Sequence, residues 1–161
     1  MYIGKKRLPD FKVSQDDLHL LNTRKKWNVI KAKKTAYVAR TGSPKNGESR
    51  TVFLHRLVMN AAKGEFVDHK DGDGLNNLRS NLRIATTTQN NYNKGIHKKN
   101  QSGFKGVYPY KGGKRWRVCI FKDGKQIQGG YHDDKIEAAK IFNELAIKHF
   151  GEFARLNVIP Q

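Results

Sequence analysis

The chain has 161 residues, enough for one ordinary domain or two or three small modules, and its 37% apolar content fills small cores rather than one large one. Its 32 Lys and Arg against 14 Asp and Glu give a formal charge of +18, which repels itself in a compact fold unless a polyanion is the partner, and this points to nucleic acid. One cysteine, Cys119, excludes an internal disulfide or a cysteine-cluster zinc site; with no signal peptide and no apolar run near the ~20 residues that span a bilayer, the expectation is a soluble cytoplasmic protein with no membrane partner.

Residues 1–49 begin with the basic Lys5, Lys6 and Arg7. Ser14 and Asp17 then have the spacing of a capping box, which predicts a short helix with Leu18, Leu20 and Leu21 on one face. Trp27-Asn28-Val29-Ile30 and Thr35-Ala36-Tyr37-Val38-Ala39-Arg40 read as two strands joined by a lysine-rich turn. Residues 41–49 hold Gly, Ser, Pro and Asn and read as a loop. This stretch is expected to extend the sheet of the module that follows. Its lysines, Lys25, Lys26, Lys31, Lys33 and Lys34, suit either a phosphate backbone or plain solvent.

The segment 50–94 gathers the chemistry. Residues 50–58 read as a strand carrying His55 and Arg56, and Glu65-Phe66-Val67 as a second, ending at the pair Asp68-His69. A loop dense in Gly, Asp and Asn runs to Asn81-Leu82-Arg83, and a threonine among residues 86–88 caps a short helix carrying Asn90. Asp68 offers carboxylate oxygens and Asn90 an amide oxygen, hard ligands suited to Mg²⁺ or Mn²⁺. A neutral His69 beside such an ion can take a proton from an attacking water, because an unperturbed imidazole titrates near pH ~6.5. Asp71 and Asp73 lack the spacing of a calcium-binding loop, with Leu75 where an oxygen ligand is required, and read as turn residues. Arg56 and Arg83 read as phosphate or loop contacts.

The combination Leu54-His55-Arg56, Asp68-His69-Lys70-Asp71-Gly72, Asn76-Asn77, Asn81-Leu82-Arg83 and Gln89-Asn90-Asn91 resembles the HNH endonucleases of phage and intron homing systems, which have a ββα-metal fold. The resemblance implies that His69 is the general base, that Asp68 and Asn90 hold a divalent cation, and that Asn81 braces the loop and orients the base. In this subtype an Asn stands for the last His, so Asn90 fits the pattern. His55 is read either as a support of the site or as an ordinary strand histidine.

Residues 95–101 have no apolar periodicity and lie in a stretch, 94–103, that carries Lys, Gly and Ser, so they read as a flexible linker. Three strands follow, within residues 105–110, 114–121 and 125–131, the last two joined by the hairpin signal Asp123-Gly124. Trp116, Val118 and Ile120 alternate with Arg115, Arg117, Cys119 and Phe121, one set to each face. A helix opens at Asp133 or Asp134 and stops at Gly151. With one face backed by the helix, the other is open to DNA, and the candidate contacts are Tyr108, Lys111, Arg115, Arg117, Lys125 and Gln126. Ser102-Gly103-Phe104-Lys105-Gly106-Val107, Gly130-Tyr131, Glu137-Ala138-Ala139 and Leu156-Asn157 resemble the APETALA/ethylene-response-factor DNA-binding domain, with Tyr108 and Phe121 where that family has arginine.

The expectation is therefore an α+β chain: an N-terminal strand extension (1–49), a ββα-metal nuclease core (50–94), a linker (95–101) and a three-stranded antiparallel sheet backed by one helix (102–161). Its function would be metal-dependent nicking of double-stranded DNA by a monomer with no obligate protein partner, in a bacterial or phage-infected cell. A non-catalytic DNA-binding regulator and an RNA-directed nuclease or binder are the alternatives.

Overall fold

The computed structural model describes residues 2–3, 6–7, 10–47 and 49–160. Lys5 of the basic opening and Glu48 of the predicted loop lie outside the described residues. The chain divides into two compact units, residues 1–90 and 91–161, and each is built around its own apolar cluster.

In the first unit, β1 (Tyr2–Ile3) pairs with β2 (Lys6–Arg7). β3 (Lys12–Val13) leads into a 3-10 helix over Gln15–Leu21. The predicted capping box does not form. The Ser14 hydroxyl instead accepts the Arg79 N–H at 3.4 Å, and the fully buried Asp17 takes two Arg79 guanidinium bonds at 2.6 and 2.9 Å. Burying a carboxylate demands a charged partner, and the nearest is 62 residues away rather than in its own turn. Leu20 and Leu21 pack inward as expected, while Leu18 stays exposed.

β4 (Trp27–Lys31) and β5 (Ala36–Thr41) form the predicted antiparallel pair, and β6 (Thr51–Phe53) adds to β5. The predicted strand over residues 50–58 ends at Phe53. Leu54–Val58 is instead a helix, α1. Leu54 and Val58 lie four apart, hence on one helical face, and both are buried in the core with Trp27 and Val38. His55 therefore stands on a helix, not on a strand. β7 (Phe66–His69) pairs antiparallel with β9 (Leu82–Ala85), and the intervening loop carries the two-residue β8 (Asn76–Asn77), which lies parallel to β3. α2 (Thr87–Tyr92) follows, its start closed by a reciprocal pair: Gln89 N–H donates to the Thr86 hydroxyl and Thr86 N–H to the Gln89 side chain.

The second unit is the expected three-stranded antiparallel sheet, β10 (Val107–Tyr110), β11 (Arg115–Lys122) and β12 (Lys125–His132), with α3 (Lys135–Phe150) packed on one side. Asp134 caps α3 by accepting the N–H groups of Ile136 and Glu137, and Gly151 closes it. Val107, Val118 and Ile120 from the sheet meet Ala138, Ala139, Phe142 and Ala146 from the helix. Tyr92, at the end of α2, stacks on Phe150 with ring centroids 3.9 Å apart, and within residues 95–101 the Asn100 side chain donates to the carbonyls of Phe104 and Val107. Among the described residues no helix is long and apolar enough to cross a membrane.

Candidate functional site

The β7–β9 register decides what surrounds the Asp68-His69 pair. Asp68 stands opposite Arg83 and His69 opposite Leu82. Arg83 donates two hydrogen bonds to Asp68 Oδ2, at 2.7 and 2.9 Å, and both side chains are buried. A buried carboxylate and a buried guanidinium each need the other, since either alone would remain desolvated and uncompensated. Arg83, read from the sequence as a phosphate or loop contact, is here the partner of Asp68. Arg56 is likewise engaged: its guanidinium donates to the carbonyls of Ala61, Ala62 and Glu65 and so holds the turn before β7.

The loop between β7 and β9 is self-braced. Asp71 Oδ1 accepts Asp73 N–H and Asn81 Nδ2–H, both at 2.9 Å, while Oδ2 accepts Asn76 Nδ2–H at 2.7 Å. Burial works to raise the Asp71 carboxyl, but these bonds win and hold it below its usual range. Asp73 accepts Leu75 N–H. Both aspartates are turn residues, as their spacing predicted. Asn81 also donates to the Asn76 carbonyl and accepts Asp71 N–H, so its amide ties the two ends of the loop.

His69 sits in an aromatic and imidazole pocket. His55 meets it edge-on with centroids 5.0 Å apart, and Tyr37 of β5 lies 5.9 Å from His69 and 5.5 Å from His55. Phe53 stacks on His55 at 5.4 Å. Burial lowers the His69 pKa below its ordinary value, against the side-chain amide of Asn77 and the carboxylates of Asp71, Asp68 and Asp73, which favour the charged ring. Burial, the neighbouring His69 and Arg56 push His55 down to about 3. Both rings are thus neutral near neutral pH. The buried Nδ1 of His55 has no hydrogen-bond partner among the described residues.

Asn90 lies on α2, half-buried, one turn after Thr86, whose carbonyl accepts its N–H at 2.9 Å. The donors named from the sequence, a carboxylate and an amide oxygen, suit a hard cation such as Mg²⁺. Arg83 occupies two of the roughly four lone-pair positions that a carboxylate offers. Among the described residues there is no cluster of three or more His, Cys, Asp or Glu side chains arranged to hold a metal; a set with one carboxylate and one amide would not make one.

Three side chains have roles at this site that the sequence alone did not assign: Tyr37, Asn77 and Arg83. Arg83 was read at the end of a loop, and only the observed pairing of β9 with β7 sets it opposite Asp68. Tyr37 comes from another sheet, through packing that no local pattern encodes. Gly74 is what lets the loop lie on β5: an added Cβ would meet the Ala36 carbonyl at 2.4 Å and the Tyr37 ring at 2.6 Å.

In the second unit, the register puts Tyr108, Arg117 and Tyr131 in one row across the sheet, Tyr110 beside Arg115, and Phe121 beside Gln126. These share the side away from α3. Lys111 follows β10 in a turn, and Lys125 opens β12 opposite Lys122. Arg115 is paired with Asp133 at 3.0 Å. The Lys105 ammonium donates to the Tyr92 carbonyl, and burial, then the charge of Arg155, lowers it to about 8.

A family model described as HNH endonuclease matches residues 52–92, from β6 to the end of α2. The chain is 31% identical over 140 residues to a protein named as an uncharacterised HNH endonuclease of Acanthamoeba polyphaga mimivirus, across 83% of this chain and 72% of that one. It is 37% identical over 93 residues to Protein 3.8 of Escherichia phage T7, across 58% of this chain and 76% of that one. No solved structure matches it.

Proposed function

Because the chain belongs to the HNH endonuclease family, we propose that it hydrolyses DNA phosphodiesters with His69 as general base and with a divalent cation, Mg²⁺ or Mn²⁺, held by Asp68 and Asn90. The observation that carries this reading is a buried imidazole, lowered in pKa by its burial, next in sequence to a buried, ion-paired carboxylate. Neutral His69 takes the proton of an attacking water, and the packing of His55 and Tyr37 against it limits its rotation. Asn81 keeps the loop closed beneath it, and Arg83 fixes the carboxylate of Asp68. When bound, the cation supplies electrostatic stabilisation of the phosphorane-like transition state and of the departing 3′-oxygen.

The antiparallel β7–β9 pair followed directly by α2 supports a ββα-metal layout. One such centre per chain supports nicking by a monomer on double-stranded DNA. The second unit is read as the DNA-holding part, of the APETALA/ethylene-response-factor kind, supported by its sheet-and-helix architecture and by Arg117, Lys111, Lys125 and Gln126 on or beside the open side. The Escherichia phage relative supports work in a phage-infected bacterial cell.

Supercoiled plasmid incubated with the protein and Mg²⁺ or Mn²⁺ should relax to open circles. His69→Ala should slow this by about 10²–10⁴-fold, the usual weight of general-base catalysis, with DNA affinity changed by less than about twofold, because the base acts in the transition state. A variant that nicks at the wild-type rate would remove His69 from the chemistry.

A further inference from the structure

The side of the second sheet that α3 does not cover is rich in exposed aromatic rings as well as cations. Tyr108, Tyr110, Phe121 and Tyr131 are 39, 37, 58 and 41% exposed, and pairing of their strands sets all four on one face. Tyr110 and Tyr131 lie against each other across the sheet, with centroids 4.4 Å apart, and the Arg117 guanidinium lies 5.7 Å from the Tyr108 ring centre. A surface that reads a duplex through its major groove needs long polar side chains that reach base edges. Tyrosine and phenylalanine rings do little there, because in a duplex the base faces are stacked on one another. Rings on an open sheet find base faces only where the strand is unpaired.

We propose that this face is a stacking platform for the unpaired bases of single-stranded DNA. The occupant follows from charge as well as from the rings. A cavity of about 370 Å³ borders the outer strand β10, where Lys94, His97, Lys99 and Lys105 meet Tyr108. A strand whose bases lie on the rings can set its phosphates beside the ammonium groups of Lys94 and Lys99, and the ring faces accept any base, because every base has a π-face. The choice of DNA over RNA rests on the reading of the chain as a DNA-cutting endonuclease. The preferred substrate is then double-stranded DNA interrupted by an unpaired stretch, such as a gap or a flap, with the unpaired part on the platform and the cut in the adjoining duplex.

The test is binding of the full chain, without divalent metal, to a labelled mixed-sequence oligonucleotide of about 16 nucleotides, the upper end of single-stranded site sizes. The same sequence is offered as DNA single strand, DNA duplex and RNA single strand. Single-stranded DNA should bind about tenfold or more tighter than duplex, and the double variant Phe121→Ala with Tyr131→Ala should lose about tenfold or more of that affinity while duplex binding moves by less than about twofold. Tyr131→Phe should bind like wild type, because the ring and not the hydroxyl stacks. Equal or tighter binding of duplex, an unchanged double variant, a Tyr131→Phe variant as weak as the double variant, or tighter binding of RNA would each overturn the proposal. Plasmid cleavage with metal, assayed on the same preparation, keeps the two readings apart. Cleavage without single-strand preference sinks the platform alone, and single-strand preference without cleavage sinks the hydrolytic reading while leaving the platform standing.

Discussion

Arg83 shows how one buried charge sets the state of another. Its guanidinium is the buried partner of Asp68, so Arg83→Ala should leave a carboxylate desolvated and uncompensated. A loss of about 3–5 kcal/mol is expected, read by urea unfolding of the metal-free chain; a loss below about 1 kcal/mol would mean that water reaches Asp68 readily. His55 makes a second prediction, of pH dependence. Its folded-state pKa is pushed down to about 3, whereas in the unfolded chain it titrates near ~6.5. Above pH ~6.5 both states are neutral and stability is at its full value. Below it the unfolded chain takes up a proton that the folded chain refuses, and stability falls by up to about 1.4 kcal/mol per pH unit until the folded ring titrates as well. Replacing His55 with Phe, which can stack on Phe53 and Tyr37, should remove one proton from the slope of unfolding free energy between pH ~6 and ~4, and identical slopes would refute it. The adjacent Asp68-His69 pair was legible from the residues alone, because two chemical groups side by side need no fold to be noticed. Their supports were not, since Tyr37 arrives from a different sheet and Arg83 faces Asp68 only once the strand register exists.

At the scale of elements, local signals succeeded where the local interaction is also the one that the fold uses. The Thr86 and Gln89 capping pair, the Asp134 cap and the Asp123-Gly124 hairpin, both residues at positive φ, are of this kind. They failed where a distant partner displaced the local one, as when Asp17 pairs with Arg79 instead of closing its own turn. The segment 50–58 misled for another reason. Its apolar residues fit alternation and helical spacing over so short a run, and burial of both Leu54 and Val58 selects the helix. The same logic makes Gly106 a test of the second unit. It has φ +73, and an added Cβ would lie 2.0 Å from the Phe142 ring and 3.0 Å from the Cys119 carbonyl. Gly106→Ala should cost more than about 2 kcal/mol, from overpacking and from a left-handed backbone together. Each unit holds one of the two tryptophans, Trp27 and Trp116, so the destabilisation can be followed in a Trp27→Phe background, where fluorescence reports on the second unit. Unchanged unfolding there would mean that the strand start shifts to make room.

At the scale of the whole molecule, the formal charge of +18 is the feature that most constrains what the chain does, and it is spread over both units rather than gathered in the site. Most cations on such a surface contribute through the release of counterions from the phosphate backbone, which tunes affinity and its salt dependence without selecting sequence. This separates the roles of groups that look alike in composition. Arg56, Arg79 and Arg83 are engaged by protein partners, whereas Lys111 and Lys125 stand exposed at the ends of strands on the second sheet. The double variant Lys111→Gln with Lys125→Gln should therefore weaken binding to all DNA sequences alike and make the slope of log affinity against log salt shallower by about 2, near one unit for each phosphate that is no longer neutralised. The Arg56→Gln variant, by contrast, should leave that slope unchanged, because its guanidinium is committed to three backbone carbonyls of the turn before β7. Measured on the full chain, a slope that moved with Arg56 and not with the two lysines would mean that the phosphates are held by the nuclease unit and that the second sheet is not where the DNA backbone lies.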